Sequence, residues 1–217
     1  MKMAAVTVRF RRFVCLARRL RADRSGVSMM EFALILPILL TFGLYGTELA
    51  YMAVVKMEVA QLSTAVADNA SRLGQTDNSA VTPTVTETQI NSVMSGALTQ
   101  GNAFNFNGNG RIILSSLEKN SSGNQYIHWQ RCRGNLARTS AYGVEGTTLT
   151  GMGKTGHLIT ATTNSAVMYV EVYFAYQPLF GTMFVKNTVF YQESAFLIRD
   201  DRSLSGVTGT GKQSNCI

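Results

Sequence analysis

Two histidines and one tryptophan occur among 217 residues, and charged side chains make up only 15% of the chain. His128 and His157 stand apart from any Cys, Asp or Glu at ligand spacing, so no metal site is expected. Ser25 and Ser28 have no base in a recognisable arrangement, and no other nucleophile is better placed. The chain therefore reads as a non-enzyme without a cofactor. Its length leaves room for one modest domain beside a membrane segment and excludes a large multidomain enzyme.

Acidic charge is scarce in total but not where it matters. The formal net charge of +7 comes from 20 basic and 13 acidic residues. Residues 1–26 hold Lys2, Arg9, Arg11, Arg12, Arg18, Arg19, Arg21 and Arg24 against Asp23 alone, so the rest of the chain is neutral. Nucleic-acid binding by the body of the protein loses its main support. Lys and Arg beside a first apolar span instead hold that end in the cytoplasm. A short amphipathic helix on the inner leaflet is one reading of this leader; an unstructured basic leader is the plainer one.

A long apolar run succeeds the leader. From Met29 to Val55 only Glu31 and Glu48 are charged, and the run exceeds the roughly 20 residues needed to cross a bilayer. No convincing signal-peptidase site ends it, so the helix is expected to remain in the mature protein. Pro37 predicts a local kink. Beyond the span, Val55, Val59, Leu62, Val66, Ala70 and Leu73 continue a stripe at helical spacing, while Lys56, Glu58, Gln61, Asp68 and Arg72 take other faces. Gly74 is a candidate C-cap. The expectation is one long helix, half in lipid and half the spine of a soluble head.

Residues 75–85 read as a polar loop. Ile90, Val93, Met94, Ala97 and Leu98 mark a short amphipathic helix, with Thr84/Glu87 or Thr86/Gln89 as a capping box and Gly101 at its end. NAFNFNGNG is expected to be loop. RIILSSLEK and NQYIHWQRC, joined by Asn120-Ser121-Ser122-Gly123, predict a hairpin. Residues 143–163 read as a long loop. AVMYVEVYFAY places Met168, Val170, Val172 and Phe174 on one face and Tyr169, Glu171 and Tyr173 on the other, and TVFYQESAFLIR adds a further strand. The fold class is α+β, with an antiparallel sheet of about four strands packed on the extended helix in a pilin-like head. The boundaries are a leader (1–26), a transmembrane and spine helix (27–74) and a head (75–217).

Of the three cysteines, Cys15 lies in the leader, and Cys132 and Cys216 lie beyond the span in an oxidising compartment. A Cys132–Cys216 disulfide would pin the C-terminus to the middle of the head; two buried free thiols are the alternative. Trp129 is expected to pack in the core on the strand face shared with Ile127 and Arg131, with a contact to another subunit as the lesser reading.

The junction RSGVSMMEFALILPILL, with Gly26 five residues before Glu31-Phe32, resembles the TadE-like pseudopilins of tight-adherence (type IVc, Flp-type) pilus systems. YGTELAY, WQRCRG, YFAYQPLF, SAFLIRDDR and the C-terminal cysteine extend the resemblance, which is strongest over residues 24–73 and looser to residue 202. It implies processing by a membrane prepilin peptidase between Gly26 and Val27. It also implies a place among the other minor pilins, the major pilin and the inner-membrane assembly platform, in pilus biogenesis and surface adhesion. The N-terminus would be cytoplasmic and the head periplasmic or on the fibre. Glu31 then serves recognition and assembly, since a lone carboxylate at that depth is unfavourable in lipid. The head is much larger than that of the major pilin of such systems, which suits a minor subunit. Glu48 is a candidate for contact with a partner's helix, against simple solvation at the opposite interface.

Other motifs carry less. GMGKTGH (residues 151–157) lacks the first glycine of a phosphate loop, because Thr148 stands at that position. Asp200 and Asp201 suggest Ca²⁺, although a solvated turn is the commoner use. An uncleaved, signal-anchored periplasmic binding protein or adhesin is the rival reading. An anchored hydrolase would need Asp200 or Glu193 brought to His128.

Overall fold

The computed structural model describes residues 25–74, 82–186, 188–199, 201–209 and 211–216. The basic leader up to Arg24, the loop 75–81 and Asp200 lie outside the described residues, and with them the readings placed on those segments. Two compact units divide between Leu49 and Ala50. The division falls inside a single helix, α1 (Ser25–Ser71, 47 residues).

The first unit, as described, is the apolar half of α1. Its mean hydropathy reaches 2.0, and it is the one helix among the described residues long and apolar enough to cross a membrane. Large apolar side chains are exposed all round it, including Met29 at 76% and Phe42 at 71%. Pro37 sits inside the helix, which continues through it, and Thr41 Oγ1 donates to Pro37 O at 2.7 Å.

In the second unit the stripe Val55, Val59, Leu62, Val66, Ala70 and Leu73 is buried, as its spacing predicts. It packs on one face of a five-stranded antiparallel sheet. The strands are β2 (Gly110–Lys119), β3 (Gln125–Arg133), β4 (Thr148–Leu149), β5 (Ala166–Ala175) and β6 (Val189–Leu197), in the order β4-β3-β2-β5-β6. Ile112 and Leu114 of β2 and Met168, Val170, Val172 and Phe174 of β5 meet α1. Burying each such side chain contributes about 1.5–3 kcal/mol. The short β4 lies in the stretch expected to be loop; two residues carry too little pattern to announce a strand.

Between α1 and the sheet come β1 (Val85–Thr86), α2 (Glu87–Gln100), a 3-10 turn (Gly101–Phe104) and α3 (Phe106–Asn109). Thr86 and Gln89 form the capping box of α2, and Ile90, Met94 and Ala97 enter the α1 core. The NAFNFNGNG segment is therefore helical and not loop. Phe106 drives this: it is fully buried, stacks on Phe174 at 5.9 Å and meets Phe104 edge-on at 6.0 Å. Asn105 in the left-handed region (φ 53°) links the two turns.

A bulge corrects the expected facing of β3. Ser116 pairs with Trp129 and Leu117 with Ile127, so His128 is the extra residue. Trp129 joins the α1 core while Ile127 packs on the opposite face with Leu117, Met152 and Tyr169. A bulge breaks the alternation from which the facing of a strand is inferred.

The C-terminal segment is tied down along its length. β7 (Val207–Thr208) pairs in parallel with β1. Farther on, Asn91 Nδ2 donates to Lys212 O at 2.8 Å and Cys132 N to Ser214 O at 2.7 Å. Cys132 and Cys216 are bonded, closing a separation of 84 residues. At the end of α1, Gly74 takes φ 79° and Arg202 donates to Leu73 O at 2.9 Å, satisfying carbonyls the helix leaves open. A disulfide that constrains the unfolded chain typically contributes about 2–4 kcal/mol net. Urea titration should show Cys216→Ser less stable by that amount, with reductant lowering the wild type to the same level. Unchanged midpoints would mean that the hydrogen bonds hold the tail without the bond.

Candidate functional site

Gly26, Val27, Glu31 and Phe32 all lie on α1 and all are exposed. A Cβ on Gly26 would meet nothing within 4 Å. Glycine costs a helix roughly 0.5–1 kcal/mol relative to alanine, and the chain's own packing gives nothing back for it. Gly43 and Gly46 are equally open and leave α1 small-sided where another helix can approach closely. Val27 and Glu31 are four residues apart, on one face and about 6 Å apart along the axis. A free amine at Val27 would thus stand one turn from the Glu31 carboxylate. Such a pair relieves the cost of a lone charge in an apolar medium. Glu48 is fully buried, which departs from simple solvation.

The head holds polar groups that no spacing rule singles out. Arg131, in the α1-facing register of β3, donates to Glu87 at 2.5 and 2.9 Å and to Glu145 at 3.1 Å. Burial pulls the Arg131 guanidinium down, and Glu87 and Glu145 together more than reverse it. Glu87 opens α2, where the helix dipole also favours a carboxylate. Arg202 is buried at the far end of α1, and burial lowers it to about 10. His128 Nδ1 lies 2.8 Å from Glu118 Oε2. It is not joined to Glu193, and Asp200, the other carboxylate named for the hydrolase reading, lies outside the described residues.

On the sheet face away from α1, Glu171 of β5 stands directly across from Glu193 of β6. Two carboxylates so placed repel unless donors separate them. Tyrosines supply the donors. Glu171 accepts from Ala141 N at 2.8 Å, from Tyr173 and Tyr191 hydroxyls at 3.2 Å each, and from Ser140 Oγ. Glu193 accepts from Tyr142 OH at 2.5 Å and from Tyr191 OH. Burial raises Glu171 above the usual carboxylate range, and its four donors offset this in part. Burial also raises all four tyrosines: Tyr173 to about 12, and Tyr142, Tyr169 and Tyr191 likewise upward. They remain neutral donors at any physiological pH. A cavity of about 280 Å³ lies beside Glu193, lined also by Tyr169, Lys154 and His157. GMGKTGH thus forms a wall of this cavity, with Gly153 N–H donating to Tyr142 OH at 3.0 Å.

No family model, curated protein or solved structure matches the chain. Among the described residues no group of three or more His, Cys, Asp or Glu could hold a metal ion, and Asp201 is exposed. The Glu171–Glu193–tyrosine group escapes sequence reasoning because its members come from three separate segments. The one available signal was Glu171 between Tyr169 and Tyr173 on the second face of a strand that is otherwise apolar.

Glu171 has a testable sign. Its folded pKa lies above the ordinary 4.5, so its protonation favours the folded state. That contribution is complete below the unfolded value and is lost as pH rises through the folded one. Glu171→Gln keeps the shape, and its amide oxygen can still accept from Ala141 N. The stability of the variant relative to wild type, from urea titrations at pH 5 and pH 8, should be greater at pH 8. A difference independent of pH would contradict the assignment.

Proposed function

We propose that this chain is a minor pilin or pseudopilin of a tight-adherence (type IVc) pilus, cut by a prepilin peptidase between Gly26 and Val27. The observation that carries the reading is the junction itself. A glycine that the fold does not need and a carboxylate that lipid does not favour stand five residues apart at the start of an exposed apolar helix. Both are accounted for together if Gly26 gives a peptidase close access to the backbone and Glu31 receives the new Val27 ammonium of its own or a neighbouring subunit.

In this account the leader stays in the cytoplasm, α1 spans the inner membrane and the head lies in the periplasm. Assembly is noncovalent. The apolar half of α1 bundles with the helices of other minor pilins and the major pilin, Glu31 sets their register, and the head meets other subunits at the platform or on the fibre. Energy for extension comes from a cytoplasmic motor, and the fibre serves surface adhesion.

The mature N-terminus tests this. Intact mass of the membrane protein, made with and without the cognate prepilin peptidase, should show a peptidase-dependent start at Val27 that Gly26→Arg abolishes. Glu31→Ala should still be cut but fail to enter the fibre. An intact Met1 start with the peptidase active would overturn the proposal and leave the head as an anchored binding module.

A further inference from the structure

The two ends of the sheet differ in chemistry, and α1 tells them apart. At one end Tyr176, just past β5, packs its ring on Tyr51 at 6.0 Å and its N–H donates to Thr188 O at 2.9 Å, closing the β5–β6 connection. At the other, Arg199 N–H donates to Ser71 O at 3.3 Å. Tyr51 and Ser71 are about 30 Å apart along the helix at 1.5 Å per residue. The Tyr51 end is therefore where the chain passes from the apolar segment into the head.

At the Ser71 end the β2–β3 turn is Asn120-Ser121-Ser122-Gly123-Asn124, polar throughout and largely exposed. At the Tyr51 end the β5–β6 connection runs Gln177-Pro178-Leu179-Phe180-Gly181-Thr182-Met183-Phe184-Val185-Lys186. Phe180 and Phe184 are half-buried and meet edge-on at 6.4 Å, and Val185 packs on the core. They hold the loop so that Leu179 and Met183 point outward, 51% and 76% exposed. A water-facing hairpin loop has no use for that composition.

Charge follows the same division. The segments gathered at the Tyr51 end, 99–111, 133–139 and 174–190, contain Arg111, Arg133, Arg138 and Lys186 and no Asp or Glu, and Glu48, three residues before Tyr51 on α1, is buried. Arg111 and Arg138 line a cleft of about 640 Å³. Arg111 donates to Gly134 O at 3.0 Å, while its Nε is buried without a partner. Basic groups beside outward apolar side chains are the composition of a lipid-facing surface.

We propose that this end of the head seats on an anionic phospholipid bilayer. Leu179 and Met183 enter the boundary between headgroups and acyl chains, and Arg111, Arg138 and Lys186 meet lipid phosphates. Two apolar side chains alone would bind lipid marginally, but the covalent link to a membrane-spanning helix makes the contact intramolecular and raises its effective concentration. The proposal rests on α1 spanning the bilayer. It adds a second, reversible membrane contact that must be released before the head can leave the surface.

Brominated-lipid quenching of single introduced tryptophans tests it in the full-length chain in proteoliposomes, against the constant background of buried Trp129. Leu40→Trp reports the span, Met183→Trp the loop and Ser122→Trp the far turn. With phosphatidylglycerol present, the Leu40→Trp and Met183→Trp signals should both fall roughly twofold while Ser122→Trp is unaffected, as expected for burial about 5–10 Å into the interface. Quenching of Leu40→Trp without quenching of Met183→Trp would overturn the loop proposal and leave the span intact. No quenching of Leu40→Trp would overturn both. Equal quenching of Met183→Trp in pure phosphatidylcholine would overturn the requirement for anionic lipid.

Discussion

The structure depends on the burial of one helical stripe. Val55, Val59, Leu62, Val66 and Ala70 of α1 are covered by the inward face of the sheet and by α2, and α1 is the one long element against which both are placed. Without the stripe the sheet would expose Ile112, Leu114 and Val170 to water, and α2 would lose the partner for Ile90 and Met94. A short amphipathic helix such as α2 is marginal by itself and forms because it is packed. The helix that enters the head is the continuation of the one long and apolar enough to cross a membrane, so the candidate span and the core share one element.

Polar interactions close what the stripe begins. Arg202 and Gly74 terminate α1, the Thr86–Gln89 box starts α2, and Glu87 fixes Arg131 between α2 and β3. The tail then runs past α2, with Asn91 joining Lys212, Ser214 and Arg133, and ends at the disulfide. A buried ion pair of this kind is costly to break and adds little over a hydrophobic substitute. Its use here is to hold α2 against β3, so that Asn91 and Cys132 can then place a tail whose composition offers no hydrophobic pattern of its own.

Elements with a strong period were legible in the sequence. The stripe of α1, the alternation of β5 and the β2–β3 hairpin each follow from spacing alone, and together they give the α+β class. The bulge at His128 was not legible, because one extra residue in a strand changes facing without changing composition. Nor was the helical NAFNFNGNG segment: Asn and Gly argue for loop, and burial of Phe106 overrides them. In the first turns of α1, Gly26 and Glu31 stand out in the sequence, one as a glycine with nothing packed against it and the other as the one charge near the start of an apolar run. The paired carboxylates Glu171 and Glu193 were hidden because strand register, not proximity in sequence, brings them together.

The proposed pilus role and the lipid-facing end of the head both assume that α1 is continuous, lipid-bound over its first half and packed over its second. Residue-resolved amide hydrogen exchange of the full chain in lipid nanodiscs measures this directly. Slow exchange is expected without a break from about Met30 to Leu73, with protection of the first half lost when lipid is replaced by a mild, shorter-chain detergent and protection of Val55–Ala70 retained. Rapid exchange over residues 30–47 inside the bilayer would contradict it.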